Sequence, residues 1–400
     1  MLTVDEARAK ILAALPAPQS SNAPQTCSVP LKDANGRVLA VPLAAKRTQP
    51  PAAMSAMDGY AVCAADCATA PVTLPLVGES AAGKGYDDTL KSGQAVRIFT
   101  GATVPAGADA VVIQENTDRD GDRVTINQAV KAGQHIRPKG QDFSAGDTPL
   151  APGTRLTGFE LALLAAMNHA EVPVMRRPRV GLLATGDELV LPGSAPGPDQ
   201  IIASNAIGLA ALIEDWDGTA IDLGIQPDDL TTITKAVERA HDLDILVTIG
   251  GASVGDHDYV QQALKDAGVE IDFWKVAMKP GKPLMFGTRG QQIVLGLPGN
   301  PVSALVTARL FLKPLLAGFC GQSECHDDAR ALTLTTALRP NGPRQDYIRA
   351  TIAGDQVTPL AVQDSAQLSA IARADGLIIR PPQADAAEIG DHVPVLLLRA

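Results

Sequence analysis

Aromatic residues make up only 3% of the 400-residue chain. Large rings therefore cannot fill its cores, which falls to Ala, Val, Leu and Ile. A basic surplus is also missing: the formal net charge of −10 leaves nothing to neutralise a phosphate backbone and excludes nucleic acid as the expected partner. Five cysteines are an odd, thinly spread number, which suits reduced thiols in a cytoplasm rather than a disulfide framework. Cys63/Cys67 and Cys320/Cys325 have metal-like spacing, but neither is taken as a metal site. No clean apolar run reaches the ~20 residues of a membrane span; the most apolar stretch, 304–319, is interrupted by Arg309 and Lys313. Asp5 and Glu6 stand where a secretory signal needs basic residues, so no export is expected. A Ser-His-Asp order, a Cys nucleophile with a His, and a dense His/Cys zinc set are all absent, which argues against covalent and zinc chemistry.

The chain does contain 46% hydrophobic residues, 36 glycines and 30 prolines. That composition suits about two to three globular domains with many turns and short strands. Val4, Ala7, Ile11, Leu12 and Leu15 recur at helical spacing, predicting an opening helix that Pro16 ends. Residues 52–139 change to short apolar runs, such as 94–99 and 110–114, between Gly, Pro and Asp, which reads as a small β domain. A helix over 158–169 follows. From 179 onward strands and helices alternate: strands over 180–184, 219–224, 243–249, 269–277 and 293–297, helices over 205–216, 229–241, 258–267 and 301–316. This rhythm predicts a parallel sheet covered on both faces, with ligands bound outside the carboxyl ends of its strands. The short apolar pieces after 318 predict a compact β domain.

Chemistry gathers at those strand ends. Strand 180–184 runs into Thr185-Gly186-Asp187-Glu188-Leu189. Strand 243–249 ends in Gly250-Gly251-Ala252-Ser253-Val254-Gly255-Asp256-His257-Asp258, where glycines let backbone N–H groups approach an anion. Strand 269–277 delivers Lys275 and then Met278-Lys279-Pro280-Gly281-Lys282-Pro283, a stiff basic turn. Strand 293–297 ends in Leu297-Pro298-Gly299-Asn300-Pro301, with Asn300 suited to cap a helix and Pro301 to begin it. Any one of these is most often a plain turn, but four consecutive strand ends share one rim. Glu188, Asp256 and Asp258, with Asp187, suit a hard cation such as Mg²⁺; Lys275, Lys279 and Lys282 suit an anionic substrate. The mixture points to phosphate or oxyanion chemistry driven by positioning and charge neutralisation. Polar turns around Asp58, Thr100 and Asp142, in the N-terminal half, read singly as surface turns.

Six motifs in register resemble the molybdopterin molybdenumtransferase family, which includes the E domain of gephyrin. They are Ser55-Ala56-Met57-Asp58-Gly59-Tyr60-Ala61; Thr100-Gly101-Ala102 with Pro105-Ala106-Gly107-Ala108-Asp109-Ala110-Val111-Val112; the 185–189 motif; 250–258; 279–283; and 297–301. The resemblance covers essentially the whole chain and implies a mixed α/β, multi-domain fold. Its parts would be an elongated linker region at 1–50 and 140–177, a β-rich domain at 51–139, a pterin-binding α/β/α domain at 178–325 and a C-terminal β-barrel-like domain at 326–400. It also implies a homodimer whose site combines Glu188, Asp258, Lys275 and Lys279 of one subunit with Asp58, Thr100 and Asp142 of the other. The implied substrates are molybdate and adenylylated molybdopterin, with Mg²⁺ as cofactor and AMP released. Thr185, Gly186, Gly250, Gly251, Ser253, Gly255, Pro298, Asn300 and Pro301 would line the pterin and phosphate pocket. Lys279 and Lys282, with Arg349 and Ser369, would cradle the oxyanion or phosphate. Gln141 stands where the family commonly has Glu. Two other readings are a molybdopterin adenylyltransferase, which would lack residues 1–177 and the tail, and a non-catalytic cofactor carrier or scaffold, which need not keep Asp58, Glu188, Asp258 and Lys279 together. Expected protein partners are the adenylyltransferase and cofactor-accepting proteins.

Overall fold

The computed structural model describes residues 1–16, 26–251, 259–322 and 329–399. The predicted opening helix is Val4–Ala13. Thr3 and Glu6 close a capping box at its start, and Val4, Ala7 and Ile11 are its buried residues. That face belongs to the same apolar core as Phe311, Leu315 and Phe319.

The central sheet runs in the order Thr219–Gln226, Arg179–Thr185, Ile245–Ile249, Gln292–Leu297, Pro283–Arg289, Glu270–Lys275. The first four are parallel neighbours. The last two pairings are antiparallel, so the sheet is mixed where a parallel one was expected. The strand missing from the sequence reading is Pro283–Arg289. Gly290, at φ 60°, turns the chain within Gly290-Gln291, and so short a connection can join only antiparallel strands. Glu270–Lys275 then points the same way as the parallel four, so all four chemistry-bearing strand ends share one rim. Apolar side chains enter both faces: Val180 and Leu182 join Leu209 and Ile213 in one core, and Leu183 joins Ile233, Val237 and Val260 in the other. Burial on both faces explains the unbroken apolar runs of these strands.

Helix Leu230–Arg239 shows how local sequence aims a rim residue. Asp229 caps it through Thr232 N at 2.8 Å, a contact worth about 1 kcal/mol, and Asp228 is thereby held just before the cap. Helix Pro301–Thr307 runs through a π-helical turn at Ala308–Leu312 into Lys313–Phe319. Among the described residues this one helix, of 19 residues, is long and apolar enough to cross a membrane, despite Arg309 and Lys313, but 78% of its apolar window is buried in the protein. It is a core helix.

A second six-stranded sheet is built from Ala110–Ile113, Gly59–Val62, Ala95–Ile98, Val72–Ser80, Arg123–Ile126 and Thr117–Asp120. Strands Thr26–Pro30 and Glu171–Met175 pair antiparallel and share a core with helix Gly158–Ala166. The last sheet follows the order Gln345–Ala353, Gln356–Pro359, Ala329–Leu334, His392–Leu397, Gly376–Arg380. Its first strand also pairs with its last, so five strands close a barrel and leave no open edge.

Segment 276–279 is gripped from two sides. Leu2 bridges to Val276, and its carbonyl accepts from Ala277 N at 2.8 Å. Ala277 O accepts from Gln345 N at 2.9 Å, and Met278–Lys279 continues as a parallel strand beside Gln345 and Asp346 of the barrel.

Candidate active site

Gly250 and Gly251 sit at φ 95° and 59°, conformations that cost other residues dearly. A Cβ on Gly250 would lie 2.9 Å from Thr185 O and 3.3 Å from Thr185 Oγ1, and one on Gly251 would meet Val260 Cβ at 2.8 Å. The glycines thus let two strand ends close on each other. Thr185 is buried at 4% exposure, and among the described residues its hydroxyl has no partner, an unusual state for a buried polar atom. Ser253, Gly255, Asp256 and Asp258 lie outside the described residues.

Glu188 folds back so that its Oε2 is 2.5 Å from where a Gly186 Cβ would be; Gly186, at φ 146°, leaves room for it. Asp228 N donates to Asp187 Oδ1 at 3.1 Å. The Asp228 carboxyl is pushed above its ordinary range, first by burial and then by the charges of Asp187 and Glu188. Three carboxyls therefore crowd one side of the rim, and Asp228 is one that was not singled out from the sequence.

Asn300 occupies the helix cap position and Pro301 the first turn, but the Asn300 side chain makes no cap bond. It donates instead to Ser365 Oγ at 3.1 Å, while Val302 N donates to Ser365 O at 3.0 Å. The 297–301 loop is thus tied to the C-terminal region. Asn205 Nδ2 donates to Gly299 O at 2.7 Å, and buried Pro298 completes that loop. Neither Asn205 nor Ser365 carried a sequence signal beyond being polar near a helix start.

In the basic turn, Lys275 is half-buried and Lys282 exposed. Gly281, at φ 100°, leaves no space for a Cβ beside Thr307 Oγ1, another buried hydroxyl without a partner. Lys279 Nζ is 3.2 Å from Asp346 Oδ2. Lys279, Asp346, Arg349 and Gln363 line one cavity of about 320 Å³. Arg349 is fully buried; one guanidinium nitrogen donates to Asp364 O at 3.2 Å, while its Nε and the other terminal nitrogen have no partner. Ser369 is exposed on helix Leu368–Arg373.

Asp58 and Thr100 come together. Asp58 Oδ1 accepts from Thr100 N at 2.7 Å and Thr100 Oγ1 at 2.8 Å. These two bonds, backbone first, hold its carboxyl below the ordinary range, with a further pull from Arg97. The Arg97 guanidinium lies 5.0 Å from the Tyr60 ring centroid and 4.8 Å from that of Phe99. It also donates to Gly59 O at 3.1 Å and Gln114 Oε1 at 2.8 Å. Asp142 is exposed, its N–H bonded to Gln49 O at 3.0 Å. Among the described residues no hydrogen bond or ion pair links Asp58, Thr100 or Asp142 to the rim. Cys27, Cys63, Cys67 and Cys320 are free thiols, and no group of three or more His, Cys, Asp or Glu among the described residues is arranged around a metal.

A rim of glycines, carboxylates and lysines at the strand ends of the central sheet, in a chain that also holds a closed barrel and a further six-stranded sheet, places it among multidomain mixed α/β enzymes. The MoeA N-terminal region (domain I and II) matches residues 2–168, a probable molybdopterin binding domain matches 181–318, and the MoeA C-terminal region (domain IV) matches 331–398. The chain belongs to the molybdopterin molybdenumtransferase family. It is 40% identical over 326 residues to the molybdopterin molybdenumtransferase of Haemophilus influenzae, covering 81% of this chain and 79% of that one. It is 38% identical over 381 residues to molybdopterin molybdenumtransferase 2 of Mycobacterium tuberculosis, covering 92% and 94%. The crystal structure of the molybdopterin biosynthesis MoeA protein from Pyrococcus horikosii superposes with a TM-score of 0.86 at 28% identity over the full length of both chains.

Proposed function

We propose that this enzyme transfers molybdenum from molybdate to adenylylated molybdopterin, with Mg²⁺ as cofactor and release of AMP. The observation that carries the reading is the rim itself. Left-handed glycines and the unpartnered Thr185 hydroxyl stand at the ends of two neighbouring strands, and a cavity with two cationic side chains lies under the basic turn. Gly250 and Gly251 open the backbone to phosphate oxygens, and Thr185 Oγ supplies a donor. Lys279 and Arg349 neutralise the oxyanion, with Lys275 and Lys282 adding positive potential. These interactions act on charge that shifts as the phosphoanhydride-type bond to AMP breaks, where fixed donors help most.

The donor chemistry of the rim fits Mg²⁺. Its carboxylates are hard oxygens, and their mutual crowding, visible at Asp228, is relieved by a cation. Mg²⁺ takes few protein ligands and completes its shell with water and phosphate, so Glu188 with Asp256 and Asp258 would suffice to hold it. When bound it would neutralise phosphate charge. Asp58, Thr100 and Asp142 complete the site from the second subunit of a homodimer; that no hydrogen bond or ion pair among the described residues links them to the rim of their own chain supports this. The boundaries near 50, 140, 178 and 326 mark the working units. The reaction takes place in the cytoplasm, after an adenylyltransferase and before a cofactor-accepting protein.

AMP release from adenylylated molybdopterin and Mg²⁺, with and without molybdate, tests the reading. Molybdate-dependent AMP together with active cofactor supports it. Binding without AMP release makes the chain a carrier. For the shared site, mixing Asp58→Ala with Glu188→Ala protomers restores about half a site per dimer by simple counting of heterodimer sites; no complementation places the site within one subunit.

A further inference from the structure

The cavity beneath the basic turn contains a group of the wrong sign for an anion site. Asp346 reaches it because Met278–Lys279 pairs in parallel with Gln345 and Asp346. Its side chain is only 15% exposed, whereas that of Lys279, 3.2 Å away, is 53% exposed. The carboxylate is therefore fixed and the ammonium, on its flexible stem, is the partner able to move. Arg349, lining the same cavity, keeps two guanidinium nitrogens unpartnered although fully buried. Asp346 also acts on Arg349 through its charge. Two cations and one anion thus face a space of about 320 Å³, and the anion is already bonded to one of the cations.

We propose that Asp346 is a positioning and affinity-setting residue: it holds the Lys279 ammonium over the cavity when no oxyanion is bound, yields it when a tetrahedral dianion enters, and keeps that dianion loosely held. This rests on the oxyanion reading of the cavity. Its chemistry is exchange of ion-pair partners with no covalent step. A fixed carboxylate beside a dianion is repulsive at the effective dielectric of a half-open site. Loose holding serves an oxyanion that must leave its cradle for the dithiolene. A residue of purely structural value would do the opposite, since loosening the cradle weakens binding and turnover together.

The test is calorimetric titration of the full-length enzyme with molybdate alone, alongside steady-state AMP release, for wild type, Asp346→Asn and Asp346→Glu. Asp346→Asn is expected to bind molybdate about tenfold tighter while kcat falls, and Asp346→Glu to stay within about twofold of wild type because the charge is kept. Thermal scans confirm that each variant is folded. Unchanged or weaker binding by Asp346→Asn overturns the proposal, as does equal tightening by Asp346→Glu. If neither wild type nor Asp346→Asn binds molybdate, the cavity is not the oxyanion site and the proposal falls; molybdate-dependent AMP release by the same samples would then leave the overall reaction standing.

Discussion

Arg97→Ala is the substitution whose effect can be worked most directly from the structure. The guanidinium lies against two rings and donates two hydrogen bonds, bridging strands Gly59–Val62 and Ala95–Ile98 just where Asp58 and Thr100 leave them. Each ring contact is worth about 0.5–1 kcal/mol at a partly exposed site. A hydrogen bond from a charged donor is worth about 1.5–3 kcal/mol, less where its acceptor is exposed like Gln114. One guanidinium makes all four contacts and they are not additive, so about 2–3 kcal/mol is expected in all. For a domain of roughly this size that lowers its transition by on the order of 10 °C. Whole-chain melting of a multidomain protein is not one two-state step, so hydrogen exchange is the sharper assay. Peptides covering 58–62 and 95–101 should exchange faster in Arg97→Ala, and turnover should fall as the Asp58 and Thr100 turns separate. Arg97→Lys should recover only part, because an ammonium keeps the charge but not the planar fork. Unchanged exchange in both peptides, with a transition moved by less than about 2 °C, would refute the reasoning.

Gly251→Ala should cost about 1–2 kcal/mol for its left-handed backbone and more for the collision with Val260; adding Val260→Ala should recover the second part alone, as read by denaturant midpoints. Thr100→Val removes one of the two donors that hold the Asp58 carboxyl low, so its pKa should rise. The stabilisation from a depressed carboxyl is present above the unfolded pKa and lost as pH falls through the folded one; the variant should therefore be less stable than wild type near neutrality, and the two should converge as pH falls below the folded pKa, in thermal scans from neutral into the acid range. Asp217, buried and bonded to Arg155 and Arg177, sits at φ 62°, a conformation Asn tolerates. Asp217→Asn should cost about 1–2 kcal/mol, because both arginines are partly exposed and screened. It should also lower the Cys320 thiol, now pushed to about 11 by burial and then by Asp217, seen as faster alkylation at fixed pH.

The sequence yielded most where residues dictate structure locally. The apolar strands of the central sheet, the Pro16 stop and Pro301 start, and the rim glycines were legible because period, backbone conformation and burial all act within a few residues. Strand Pro283–Arg289 was not. It begins at the last proline of the basic turn, and its apolar run is broken by Gly287 and ends in Thr288-Arg289, so the antiparallel hairpin around Gly290 was lost with it. Asn300 was read as a cap because that is what Asn does locally; its bond to Ser365 crosses 65 positions. Asp346 meets Lys279 across 67 positions, and Asn205 meets Gly299 across 94. Such partners are chosen by topology, and no period in the chain announces them.

The double grip on segment 276–279 also bears on the order in which the protein is made. Leu2 is synthesised hundreds of residues before Val276, and the barrel strands that hold Met278 and Lys279 follow them. Domains fold as they emerge from the ribosome, so the central sheet can close while its basic turn has only one of its two supports. Gln345 and Asp346 must appear, and then His392–Leu397, before the barrel can shut against that turn. In a nascent chain the basic turn therefore lacks its second support until nearly all of these residues have been translated.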